Sequence, residues 1–73
     1  MGRPSNTDVR RQQIIDALRA EMSEVGFARA STRSVAERAG LAPGLVHYHF
    51  KDKEEILLAL VEQMTSDAEA RFA

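Results

Sequence analysis

One spacing constrains this 73-residue chain more than any other: A-x-x-x-G within Ser31–Phe50, STRSVAERAGLAPGLVHYHF. Ala36 stands four residues before Gly40, and Val46 stands six after it. Two steeply crossing helices need a small side chain at closest approach, which Ala36 supplies. The turn between them needs a residue that accepts positive φ, and Gly40 does so without steric cost. Val35, Ala39, Leu41, Val46 and Phe50 then form an apolar inner surface. The segment therefore predicts two short helices joined by a glycine turn.

A-x-x-x-G alone would suit any αα-hairpin of a small bundle. The extra apolar positions around it favour a helix-turn-helix, in which the second helix enters a DNA groove. Helical patterns extend on both sides. Met1–Asn6 reads as a flexible arm, whose Gly2-Arg3-Pro4 is similar to arms that place Arg in the minor groove. Thr7 is the expected N-cap of a first helix, with Asp8 favourable in its first turn. That helix carries Ile14, Ile15, Leu18, Met22 and Val25 on one apolar face and ends at Gly26, with Phe27 as a packing residue. Ser31 is the expected N-cap of a second helix that runs to about Ala39. Pro43 opens a third, where its missing N–H is harmless, and that helix ends near His49 or Phe50. Asp52 is the expected N-cap of a fourth, with Glu55 completing a capping box. Ile56, Leu57, Leu60, Val61 and Met64 share one face of this last helix, which runs almost to Phe72. No repeat, low-complexity tract or strand signal is present. The expected fold is all-α and four-helix: a homeodomain-like three-helix core, with the helix-turn-helix at about 31–50, plus a fourth, linking helix.

Composition narrows the function. A chain this short makes one domain with a small core. It has no cysteine, which suits a reducing cytoplasm. No apolar run is long enough to span a bilayer, so no membrane partner is expected. MGRPSN has no apolar core of a secretory signal. The net charge of −1 hides an asymmetry, because residues 1–53 hold nine Lys/Arg against six Asp/Glu, whereas residues 54–73 hold one against five. The basic part and the acidic helix face different tasks. His47 and His49, two apart, project from different sides of a helix, and no ligand spacing occurs, so neither metal nor cofactor is expected. Nothing marks a general base or an orienting carboxylate, so the chain does not read as an enzyme.

The segment G-F-x-x-x-S-T-R-x-V-A-x-x-A-G-L-x-x-G-x-V-x-Y-H-F-K-x-K-E-x-I-L runs from Gly26 to Leu57. It resembles the N-terminal DNA-binding domain of the TetR family of bacterial transcription repressors, and the flanking helices extend the resemblance over residues 7–73. The resemblance implies a double-stranded DNA operator as partner. It also implies a larger C-terminal domain, absent from this chain, that binds a small-molecule inducer and forms a homodimer, so that ligand binding releases the operator.

The candidate DNA contacts lie on both helices of the motif. Ser31 and Thr32 add hydroxyls to a helix N-terminus, where free N–H groups suit a phosphate. Arg33 can grip a guanine edge bidentately. Pro43, Gly44 and Leu45 open the helix expected in the major groove over residues 43–49. Gly44 allows close backbone approach, while Pro43 or Leu45 can pack on a thymine methyl. His47 and Tyr48 offer a ring nitrogen and a hydroxyl for phosphates. His49 stands between core packing and a phosphate. Lys51 and Lys53 flank the backbone. By resemblance, Thr32 and Lys53 occupy phosphate-contacting positions and Arg33 a position that reaches a base. Ala42, Leu45 and His47 depart from the family's frequent Ser, Thr and Tyr, which affects contacts and operator but not fold. The alternative reading is a helical protein-interaction module that docks a partner on the 56–64 apolar stripe.

Overall fold

The computed structural model describes residues 5–72, with side chains through residue 67. The Gly2-Arg3-Pro4 motif and the Ala68 and Phe72 side chains lie outside what is described. Four helices follow one another: α1 (Asn6–Val25), α2 (Thr32–Ala39), α3 (Pro43–His49) and α4 (Lys53–Phe72). The start of α1 differs from expectation. Ser5, not Thr7, is the N-cap, because its hydroxyl accepts from the Asp8 N–H at 3.1 Å. Ser5 and Asn6 thus belong to the helical domain rather than to an arm. Either hydroxyl could cap; the earlier one adds helical hydrogen bonds and still leaves Asp8 in the first turn.

The helix-turn-helix closes as its spacing predicts. Ser31 and Ser34 cap α2 reciprocally: the Ser34 N–H donates to Ser31 Oγ at 3.0 Å, and the Ser31 N–H donates to Ser34 Oγ at 2.9 Å. At the other end Gly40 adopts φ 73°, ψ 29°. Its N–H reaches the Glu37 carbonyl at 3.2 Å, and the Leu41 N–H reaches that of Ala36 at 2.9 Å. This paired closure is a Schellman motif, which the left-handed glycine makes possible. Pro43 then starts α3, whose N-cap Ala42 makes no side-chain capping bond. Asp52 accepts from the Glu55 N–H at 2.9 Å, as expected of a cap. The return half of the box is shifted by one residue, since the Glu55 carboxylate accepts from the Lys51 N–H at 3.3 Å.

α1 is the spine, packed against both α2 and α4, while α3 is held chiefly by α2. Ile14, Leu18, Val35, Ala36, Val46 and Ile56 are fully buried where the elements meet, with Ile15, Ala17, Ala30, Phe50 and Leu60 nearly so. Met22, Phe27, Ala39, Leu41 and Leu57 pack around this core and are partly buried. Three residues of the expected apolar faces are exposed: Val25, Val61 and Met64. Val25 is the last residue of α1. The 56–64 stripe is divided, since Ile56 and Leu60 belong to the domain's own core.

Polar ties fix the helices' relative positions. Gln12 and Gln63 exchange amide hydrogen bonds between α1 and α4 at 3.2 and 2.6 Å. On α2, Arg38 donates to Glu21 at 2.8 Å and also pairs with Glu24. The Arg38 guanidinium, and secondarily the Ser34 hydroxyl, hold the Glu21 carboxyl below its ordinary range. A carboxylate depressed in the folded state stabilises at pH above its unfolded value, and the contribution vanishes as pH falls through the folded one. Acid should therefore unfold the wild type by a route that Glu21→Gln lacks. Urea unfolding across the acid range should show the gap between wild type and Glu21→Gln closing as pH falls. A gap independent of pH would contradict the pairing.

Candidate nucleic-acid interface

α2 and α3 bring most of the expected contact residues to one region. The Thr32 hydroxyl lies 3.3 Å from His47 Nε2, joining the first turn of α2 to the second turn of α3. Ser31 and Arg33 flank Thr32 and are exposed. Pro43, Gly44, His47 and Tyr48 are exposed on α3, and Tyr48 is the most open large side chain at 79%. Leu45 and His49 are half-buried. The Tyr48 and His49 rings meet edge-on with centroids 4.9 Å apart.

Charge favours an anionic partner here. From Ser31 to Lys51 the sole carboxylate is Glu37, two residues before the end of α2. Arg33 and Lys51 are exposed, and no protein hydrogen-bond partner for either side chain is found among the described residues. Arg33 also sits in the first turn of α2, where the helix dipole disfavours a cation.

Gly44 is also informative. A Cβ built there meets nothing within 4 Å. Neither packing inside the protein nor its backbone angles require glycine at this position. What a missing side chain does provide is close approach from outside.

Three cations of the basic part behave differently from the charge count. The Lys53 ammonium, expected at a phosphate, donates to the Phe27, Ala30 and Ala28 carbonyls at 2.8, 3.0 and 3.4 Å. It also lies 4.3 Å from the centre of the Phe27 ring. The Arg11 guanidinium stacks on Phe50 at 4.4 Å and donates to the His49 carbonyl at 3.3 Å. It thereby caps the C-terminus of α3, where unpaired carbonyls attract a cation. Arg38 is engaged by Glu21 and Glu24. Each partnership spans 14 residues or more. Local spacing therefore carried no signal for them.

Among the described residues no group of three or more His, Asp or Glu is placed to hold a metal ion. No helix among them is long and apolar enough to cross a membrane.

The profile of bacterial regulatory proteins of the tetR family matches residues 14–60. The chain belongs to the TetR family. It is 41% identical over 58 residues to the HTH-type transcriptional regulator BetI of Serratia proteamaculans (strain 568), covering 80% of this chain and 29% of that one. Against BetI of Klebsiella pneumoniae (strain 342) it is 40% identical over 58 residues, 80% of this chain and 30% of that one. Against BetI of Yersinia pestis (strain Pestoides F) the figures are 39% over 56 residues, 77% and 28%. The chain thus spans less than a third of the length of these relatives. No solved structure matches it. Membership makes this a DNA-binding, helix-turn-helix domain of a transcription regulator, and the relatives are named as regulators rather than enzymes.

Proposed function

We propose that this TetR-family domain binds a specific double-stranded operator with α3 in the major groove and the first turn of α2 on the phosphate backbone. The observation that carries the reading is the Thr32–His47 bond, which joins the two helices beside exposed Arg33, Pro43 and Gly44. Arg33 reads a base or holds a phosphate; Ser31, Thr32, His47, Tyr48 and Lys51 hold phosphates; Pro43 and Leu45 meet a thymine methyl. His49 is half-buried and meets the Tyr48 ring edge-on.

In a longer protein of this family the domain would act in the cytoplasm as half of a homodimer. It would read two half-sites about 34–36 Å apart and be released by a small molecule bound elsewhere. One domain alone lacks the avidity of the pair and should bind weakly. With three to five phosphates neutralised, its log–log salt slope should be about −3 to −4.

Titration of the isotope-labelled chain with duplex DNA tests the reading. Shifts should concentrate on residues 31–34 and 43–51. Shifts centred instead on Leu58, Val61 and Met64 would favour the protein-docking alternative, for which these are the exposed large apolar side chains among the described residues of α4.

A further inference from the structure

We infer that Lys53 is a positioning residue that sets the DNA-reading surface from behind, and not a phosphate ligand; this rests on the binding mode proposed above. An ammonium has three N–H donors and no acceptor. In Lys53 all three have a carbonyl within reach: Phe27 at 2.8 Å, Ala30 at 3.0 Å and Ala28 at 3.4 Å. The Phe27 ring closes one side at 4.3 Å. A donor set so engaged presents nothing to a phosphate.

The carbonyls belong to the turn between α1 and α2. Ala30 is buried and directly precedes Ser31, the cap of α2. Lys53 is the first residue of α4. It therefore ties the start of α4 to the segment that delivers Ser31, Thr32 and Arg33. Three carbonyls gathered around one point suit a compact ammonium. A guanidinium is planar and donates as a fork, so arginine does not reproduce the geometry.

The two roles separate in a salt series. Wild type, Lys53→Gln and Lys53→Arg are titrated into a fluorescent duplex selected by the wild-type chain from a random pool. Amide exchange of Ala30, Ser34 and Val35 is followed in parallel. If Lys53 positions the surface, both variants bind at least about fivefold more weakly at every salt concentration, because a charge-assisted network is lost. The Lys53→Gln slope stays within about 0.3 of wild type, since no phosphate contact is removed. Exchange at the three amides speeds up in both variants. The inference is overturned if Lys53→Gln lowers the slope by about 0.9, the share of one phosphate, while Lys53→Arg restores affinity and the amides stay protected. Should wild type bind no duplex at all, the proposed function fails. The exchange rates then decide the inference alone: faster in both variants supports the pin, unchanged rates overturn it.

Discussion

Leu18→Ala should remove about 2–5 kcal/mol of unfolding free energy, the range for truncating a fully buried leucine where neighbours cannot collapse into the cavity. Leu18 is wholly buried in the middle of α1, the helix against which α2 and α4 both pack. Domains are typically stable by about 0.05–0.15 kcal/mol per residue, or roughly 4–11 kcal/mol for a chain of this length. The substitution should therefore remove between a fifth of the stability and all of it. Val25→Ala is the internal control. Both residues belong to the same apolar stripe in the sequence, yet Val25 is 44% exposed. Its truncation should change stability by no more than about 0.5 kcal/mol. Urea denaturation followed by circular dichroism measures both. Similar losses for the two variants would mean that the core is wrongly placed.

Arg33→Ala should cost about 1–3 kcal/mol of operator affinity, roughly 5- to 150-fold, and relax preference at one base pair. Its effect on stability should have the opposite sign. Arg33 stands in the first turn of α2, where the dipole opposes a cation by about 0.3–1 kcal/mol, and alanine is the better helix former. The variant should thus melt at the wild-type temperature or slightly above it. A residue kept for folding would lose both properties together. Anisotropy titrations against a panel of single-base operator variants, with thermal melts of the same preparations, distinguish the cases. If Arg33→Ala weakens every sequence equally, the residue holds a phosphate; if it binds like wild type, the DNA surface lies elsewhere.

The helix-turn-helix was legible because its determinants are local. Ser31 and Ser34 cap within one turn, Gly40 closes α2 within five residues, and Pro43 marks the next start. The apolar period likewise located Ile14, Leu18, Ile56 and Leu60 in the core. It overreached at Val25, Val61 and Met64, because periodicity shows which face is apolar but not how far a neighbouring helix covers it. At the candidate interface, residue type separated the exposed Arg33 from the apolar residues beside it. It could not show that Lys53 and Arg11 have partners within the protein. Their partners are backbone carbonyls and aromatic faces that arrive only once α1, α3 and α4 are assembled.

The placement of α3 can be tested chemically, because the chain has no cysteine and an introduced one is unique. Gly44 accepts a side chain without collision inside the protein. A short bifunctional alkylating tether on Gly44→Cys should modify guanine N7, an atom displayed in the major groove. The same tether on Leu58→Cys, on exposed α4, should not. Adducts at adenine N3 in the minor groove, or equal guanine N7 yields from both positions, would contradict a major-groove seat for α3.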